Sequence, residues 1–283
     1  MNPPDRDYVF PVTPGGIPLH VCGWGAEAGR LTVILHGFLD QALAWTQIAH
    51  GLARRVEAPD HRGHGASGHV PEGGFYHFWD YVADLDAWLA DQTEPVDLIG
   101  HSMGGSIAVL FAACRPEKVR RLVLVEGLGP PDASSKRVAQ ARTYLQHRRT
   151  SPRHPTMRSP GVALERMKRH TPSLQPAMAR ALAERVTEKV TSDTWTWSWD
   201  ARHRCRNPHA FDALAFQDFL KAIQCPTLVI EGAASKIKLD DRDARLEALG
   251  PQQVTVLEDA GHQVHHDRPD PLVRALTHFL DLE

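Results

Sequence analysis

The run Val96-Asp97-Leu98-Ile99-Gly100-His101-Ser102-Met103-Gly104-Gly105-Ser106-Ile107-Ala108 constrains this chain more than any other stretch. An apolar segment ends in a serine framed by glycines and passes straight into small residues, the pattern of strand, sharp turn and helix. Gly100 and Gly104 give the frame G-x-S-x-G. A tight strand-to-helix turn needs them, because the backbone on either side of Ser102 comes too close for side chains. Such a turn lifts the hydroxyl clear of the sheet. It also sets Ser102 at a helix N-terminus, where unpaired N–H groups and the positive dipole end stabilise developing negative charge.

The flanking sequence continues the same rhythm. Val9, Phe10 and Val12, a Pro-Gly-Gly turn at 14–16, and then Ile17, Leu19 and Val21 in alternation predict a β-hairpin between Tyr8 and Trp24. Leu31 to Leu35 is a continuous apolar run, as a strand covered on both faces requires, and it ends in His36-Gly37-Phe38, a candidate oxyanion loop. A helix on Leu43, Trp45, Ile48, Ala49 and Leu52, a short strand over 55–59 and a helix over 77–91 follow. Beyond the Ser102 helix come strands at 121–126, 225–231 and 253–257, a helix near 240–249 and a last helix from about 270. Strands alternating with helices predict an α/β fold with a mostly parallel sheet covered by helices on both faces.

The rhythm breaks once. Between 136 and 170 there are ten Lys/Arg against a single Glu, with prolines at 152, 155 and 160. The expected organisation is an α/β core over 1–130 and 216–283, with an inserted helical lid over 131–215. Lid helices are read from Val138, Ala141 and Leu145, and from Leu174, Met178, Leu182, Val186 and Val190, whose spacing gives a narrow apolar stripe that must dock on something.

A chain of 283 residues, 42% hydrophobic and 23% charged, can bury a core of this kind without disulfides or metals. Its net charge of −2 gives no global attraction to nucleic acid or membrane. Cys22, Cys114, Cys205 and Cys225 lie far apart with no C-x-x-C, so reduced thiols are expected. The first residues lack the apolar centre of a signal peptide, and no run of about 18 apolar residues occurs, so a cytoplasmic location without stable membrane insertion is expected.

With the serine turn, His36-Gly37, the turn Asp60-His61-Arg62-Gly63-His64-Gly65 and Gly261-His262 in this order, the chain resembles the α/β-hydrolase family over residues 8–130 and 219–282. The resemblance implies that Ser102 is a nucleophile, His262 its general base, and the backbone N–H groups of Phe38 and Met103 an oxyanion hole. It also makes 131–215 the family's variable cap, which shapes the substrate pocket. The chemistry agrees with these residue types. A serine hydroxyl needs a neighbouring base, and an imidazole titrating near neutrality can take its proton and pass it to a leaving group.

The imidazole in turn needs a third group to hold its tautomer, and here the chain departs from the family. Where Gly-x-x-Asp is usual after the strand ending at Glu231, it has Gly232-Ala233-Ala234-Ser235. Glu126, at the end of the strand after the nucleophile helix, is the expected replacement, as in relatives such as haloalkane dehalogenases that draw their acid from this strand. Asp240 or Asp241 is the alternative. Replacing Ser235 by Ala is expected to be nearly silent.

His262, His265 and His266 lack partners at metal-ligand spacing, so neither a metal nor a cofactor is expected. His61 and His64 are read as fold residues, and the basic stretch as a solvated face. The alternating Trp195, Trp197 and Trp199 fall on one side of an extended segment and are read as anchors of the lid on the core. Trp197, His36 and His101 are candidates for the substrate pocket. The expected function is hydrolysis of a carboxylic ester or related acyl bond in a small, apolar substrate through an acyl-enzyme, with no nucleic-acid partner. Hydrolysis of a carbon–carbon bond in a diketone-like substrate is one alternative, and a non-catalytic protein whose Ser235 marks a lost triad is another. A serine nucleophile disfavours epoxide and haloalkane chemistry, and nothing in the sequence speaks to oligomeric state.

Overall fold

The computed structural model describes residues 3–11, 13, 16–150 and 152–282. The hairpin strands are β1 (Arg6–Phe10) and β2 (Leu19–Trp24), paired antiparallel with Phe10 opposite Leu19. The Pro14-Gly15 part of the expected turn lies outside the described residues. Then follow β3 (Thr32–Leu35), α1 (Thr46–Leu52), β4 (Val56–Pro59), α2 (Phe78–Trp88), β5 (Val96–His101), α3 (Met103–Cys114) and β6 (Val119–Val125). After the long connection come α7 (Ala213–Lys221), β9 (Thr227–Gly232), α8 (Arg242–Leu249), β10 (Gln252–Leu257), α9 (Val264–Asp267) and α10 (Pro269–Leu280).

These strands form one eight-stranded sheet in the order β1-β2-β4-β3-β5-β6-β9-β10. The six from β4 to β10 run parallel, and the two hairpin strands are antiparallel. Period-2 alternation decides which helix each strand residue meets. Ile34, Ile99 and Val123 face α1 and α10, whereas Val33, Leu35, Leu98, Leu122 and Leu124 face α2, α3, α7 and α8. Both faces are therefore apolar, which explains why the central strands read as unbroken hydrophobic runs.

Between β6 and α7 lie α4 (Arg137–Arg149), α5 (Pro160–His170), α6 (Pro176–Arg185), β7 (Thr187–Lys189) and β8 (Trp195–Trp197). This stretch is not wholly helical. β7 and β8 pair antiparallel, Thr187 opposite Trp197, because alternating Thr and Trp favour extended backbone. The helix expected over Leu174 to Val190 ends at Arg185, with Val186 at its cap and Val190 exposed. Its docking face is real, since Leu174, Met178, Ala179 and Leu182 join the core cluster on the α1 side. α4 behaves oppositely to expectation. Val138 and Leu145 are 65% and 62% exposed, and the helix is held by other side chains. Tyr144 meets Phe75 edge-on, and Gln140 donates to the carbonyls of Asn207 and His209. Trp195 and Trp197 close a small cluster with Met157, Ala163 and Ala183, so they tie the inserted elements to one another, not to the sheet. Among the described residues no helix is long and apolar enough to cross a membrane.

Candidate active site

Five loops at the carboxyl ends of parallel strands meet here, the place where open α/β sheets hold ligands. The first is the serine turn. β5 ends at His101, Ser102 takes φ 51° and ψ −114°, and α3 begins at Met103. A side chain on Gly104 would place its Cβ 2.2 Å from the Leu35 carbonyl oxygen, and one on Gly100 would lie 2.5 Å from the Gly104 carbonyl oxygen. Both obstacles are backbone and cannot swing aside. The strained serine therefore persists because its surroundings leave no alternative.

The nucleophile candidate faces its base. Ser102 Oγ lies 3.0 Å from His262 Nε2, and His262 Nδ1 lies 3.0 Å from Glu126 Oε2. The Glu126 carboxylate can only accept, so Nδ1 carries the proton and Nε2 is free to accept from the serine hydroxyl. β6 and β9 are neighbours, with Val125 opposite Ile230, so Glu126 emerges beside the turn that follows β9. That turn holds the carboxylate. The Gly232 N–H donates to Oε1 at 2.8 Å and the Ser235 hydroxyl to Oε2 at 2.6 Å. Burial works against the charge of Glu126, but the hydrogen bonds from His262, Ser235 and Gly232 outweigh it and hold the carboxyl below its ordinary range.

Asp241 turns away to pair with Arg245 at 2.9 Å, and of the three candidate carboxylates only Glu126 meets His262 among the described residues. Ser235, expected to be inert, donates one of three hydrogen bonds to the acid. Ser235 stands where the family carries an aspartate, and here that position aims a hydroxyl at the Glu126 carboxylate.

Met103 follows Ser102 directly, and the loop bearing Phe38 passes beside it, where a Cβ on Gly37 would lie 3.4 Å from the Ser102 Cβ. Met103 is the first residue of α3, so its N–H has no acceptor within the helix. The loop bearing Phe38 is set from below by His36, whose Nε2 accepts from the His61 N–H at 3.0 Å. Phe38 and Met103 also line a cavity of about 180 Å³ together with Tyr76, Phe78, Tyr81 and His203. His36 and His101, expected in the pocket, are fully buried beneath it. The close backbone packing around the serine turn leaves no path from either ring to solvent. Trp197 lies in the small cluster of the inserted elements and is not part of the cavity wall. The sequence does not mark Tyr76, Tyr81 or His203 for the site; His203 arrives with 200–207, which packs it against the two tyrosines.

The cavity carries little charge. Burial, with the neighbouring His64, pushes His203 down to about 2, so its ring is neutral. At the rim, Arg202 is spent on Asp200 at 2.6 Å and on the carbonyls of Val70 and Pro71. No group of three or more potential metal ligands occurs among the described residues.

This architecture has relatives. The sequence pattern of the alpha/beta hydrolase family matches residues 32–275. The chain belongs to that family. Over 272 residues the hydrolase is 29% identical to a serine hydrolase-like protein of Danio rerio, covering 91% of this chain and 83% of the other. It is 27% identical to esterase Rv0045c of Mycobacterium tuberculosis, over 91% and 85% of the two chains. Among solved structures, the thioesterase domain from the curacin biosynthetic pathway superposes with a TM-score of 0.85 at 30% identity, covering 98% and 99% of the chains.

Proposed function

We propose that this hydrolase cleaves carboxylic esters or related acyl bonds through an acyl-enzyme on Ser102, with His262 as general base and Glu126 as the acid of the triad. The observation that carries the reading is the continuous relay from Ser102 to His262 to Glu126, both steps 3.0 Å. His262 Nε2 takes the hydroxyl proton as Oγ attacks the acyl carbon. The oxyanion so formed is met by the N–H groups of Phe38 and Met103, and Glu126 stabilises the imidazolium. His262 then protonates the leaving alcohol or thiol, and the same base activates water to release the acid. The similarity to an esterase and to a thioesterase domain supports the acyl class and leaves both ester and thioester within it.

The largely aromatic lining of the cavity, in which the charge of Arg202 is engaged by Asp200, supports an apolar acyl group. A space of about 180 Å³ favours short chains or a single ring. Residues 131–215 act as a cap in this reading, because Cys205 and Asn207 form part of the wall.

A fluorophosphonate probe tests the assignment. The wild-type protein should be labelled on Ser102 and Ser102→Ala should not be. An equally labelled alanine variant would move the nucleophile elsewhere. A protein that neither takes the probe nor turns over short p-nitrophenyl esters would not be a serine hydrolase.

A further inference from the structure

We propose that Ser235 is a positioning residue of the triad, its hydroxyl fixing and partly neutralising the Glu126 oxygen that faces His262. This rests on Glu126 being the triad acid. Ser235 Oγ lies 2.6 Å from Oε2, the same oxygen that accepts from His262 Nδ1. A carboxylate has no proton to give, so the hydroxyl must donate. Its direction is set from the other side by the Ile237 N–H, which points at Oγ from 3.3 Å and occupies a lone pair.

The same short turn reaches the second oxygen. Ser235 N donates to the Gly232 carbonyl at 3.0 Å, and Gly232 N donates to Oε1 at 2.8 Å. Both carboxylate oxygens are thus held by residues 232–237, and Ser235 is only 5% exposed. Glu126 needs that hold, because its own φ of 51° is a left-handed conformation that disfavours side chains. A backbone strained at the acid and a carboxylate gripped from the neighbouring strand's turn are two halves of one device. The turn after β9, which supplies the acid in the family this chain resembles, here supplies the grip.

The hydroxyl also sets the strength of the acid's pull. A carboxylate oxygen that already accepts a short, charge-assisted hydrogen bond offers less negative charge to the imidazolium beside it. Without Ser235 the imidazolium is held more tightly, and a higher pH is needed to free the base. A cavity of about 270 Å³ borders Ser235 and Glu126, so a water can replace a lost hydroxyl in Ser235→Ala but not in Ser235→Val, whose methyl groups fill the place. That space also admits the extra methyl of Ser235→Thr.

The test is kcat and kcat/KM against pH on p-nitrophenyl butyrate for the wild type, the three Ser235 variants and Glu126→Gln. Ser235→Ala should lower kcat about tenfold with KM unchanged, and move the acid limb of kcat/KM up by about half a pH unit. Ser235→Thr should restore both, and Ser235→Val should lose more than the alanine variant. An acid limb unmoved in both Ser235→Ala and Ser235→Val, or one that Ser235→Thr fails to restore, overturns the proposal while an inactive Glu126→Gln leaves the triad standing. Full activity in Glu126→Gln would instead remove the triad acid itself.

Discussion

His101 Nε2 lies 2.8 Å from the carbonyl oxygen of His262, tying the turn that bears the base to the strand end that bears the serine. The carbonyl can only accept, so His101 carries its proton on Nε2, and Nδ1 is left buried without a partner. Burial, with His265 and His262 nearby, pushes this ring down to about 3, so it stays neutral at ordinary pH. The residue before Ser102 is therefore a strut between the loops that carry Ser102 and His262.

His101→Phe keeps the ring's bulk and removes the bond. Its kcat should fall by about one to two orders of magnitude, the cost of letting a catalytic base drift, and probe labelling of Ser102 should slow in parallel. His101→Gln, whose side-chain N–H₂ can donate to the same carbonyl, should recover most of the loss. A wild-type kcat in the phenylalanine variant would show that the strut is dispensable.

Glu126→Gln preserves shape and removes the charge that stabilises the imidazolium and selects its tautomer. By the behaviour of triad acids elsewhere, kcat should fall by about 10⁴ with little change in KM. Asp241→Asn is the informative control. Asp241 holds Arg245, which is fully buried and donates to the carbonyls of Leu128 and Pro130. That variant should lower the urea midpoint and leave kcat of the folded fraction nearly unchanged. The reverse pattern would transfer the acid to the later loop.

Much of this was legible in the sequence, for a physical reason. Strands covered on both faces must be apolar throughout, so β3, β5, β6 and β9 announced themselves, and β5 was followed by glycines that only a crowded turn requires. Glu126 could be singled out because strand ends at one sheet edge are near each other whatever the loops do. The grip of Ser235 was not legible, since it depends on how a turn of a few residues folds back on a neighbouring strand. The inserted stretch was read least well. Val138, Ala141 and Leu145 fall on one helical face, yet three apolar residues among so many arginines do not bury themselves, and Tyr144 and Gln140 dock the helix instead. α5 and the β7–β8 pairing were missed, because their short apolar patterns acquire meaning only against one another.

The serine turn makes a prediction about stability alone. Gly104→Ala would drive a Cβ to 2.2 Å from the Leu35 carbonyl oxygen, a contact that requires α3 to lift off the end of β3. The loss should reach about 3 kcal/mol or more, at the upper end for overpacked sites, and should appear as a lower urea midpoint even in a Ser102→Ala background. Gly73→Ala, at a surface position with open space around it, serves as the comparison: its Cβ meets nothing, so only its positive φ of 78° penalises it. Equal midpoints for the two variants would mean that the close approach at Gly104 is relieved more easily than its geometry implies.

The last prediction concerns acid. Burial pushes eight histidine rings down from their usual value near 6.5: His154 below it, His36 and His61 well below it, His64 to about 4, His101, His265 and His266 to about 3, and His203 to about 2. A histidine whose folded value is depressed stays neutral in the native state while the unfolded chain takes up a proton below pH 6.5. Stability is then complete above that value and is lost as pH falls toward the folded values. Asp60 acts in the same direction at lower pH. Burial opposes its charge, but His20, Arg185 and the Ala66 N–H hold it below its ordinary range, so its contribution fades as pH falls through that depressed value. His20 opposes them. Although burial alone would lower it, Asp60 and Asp7 hold it raised, so its contribution is present below 6.5 and disappears as pH rises through the folded value. Eight rings against one leave a clear sign. The urea midpoint should be level above about pH 7 and fall steeply between pH 6.5 and 5, with a slope equivalent to an uptake of about three or more protons on unfolding. His265→Gln, at a site where neither ring nitrogen makes a hydrogen bond among the described residues and only Asp40, 3.5 Å from Nε2, offers a charge, should reduce that uptake by about one. A midpoint that is flat or rising from pH 7 down to 5.5 would mean that the buried histidines accept protons in place, and that the cluster beneath the active site is far wetter than its packing indicates.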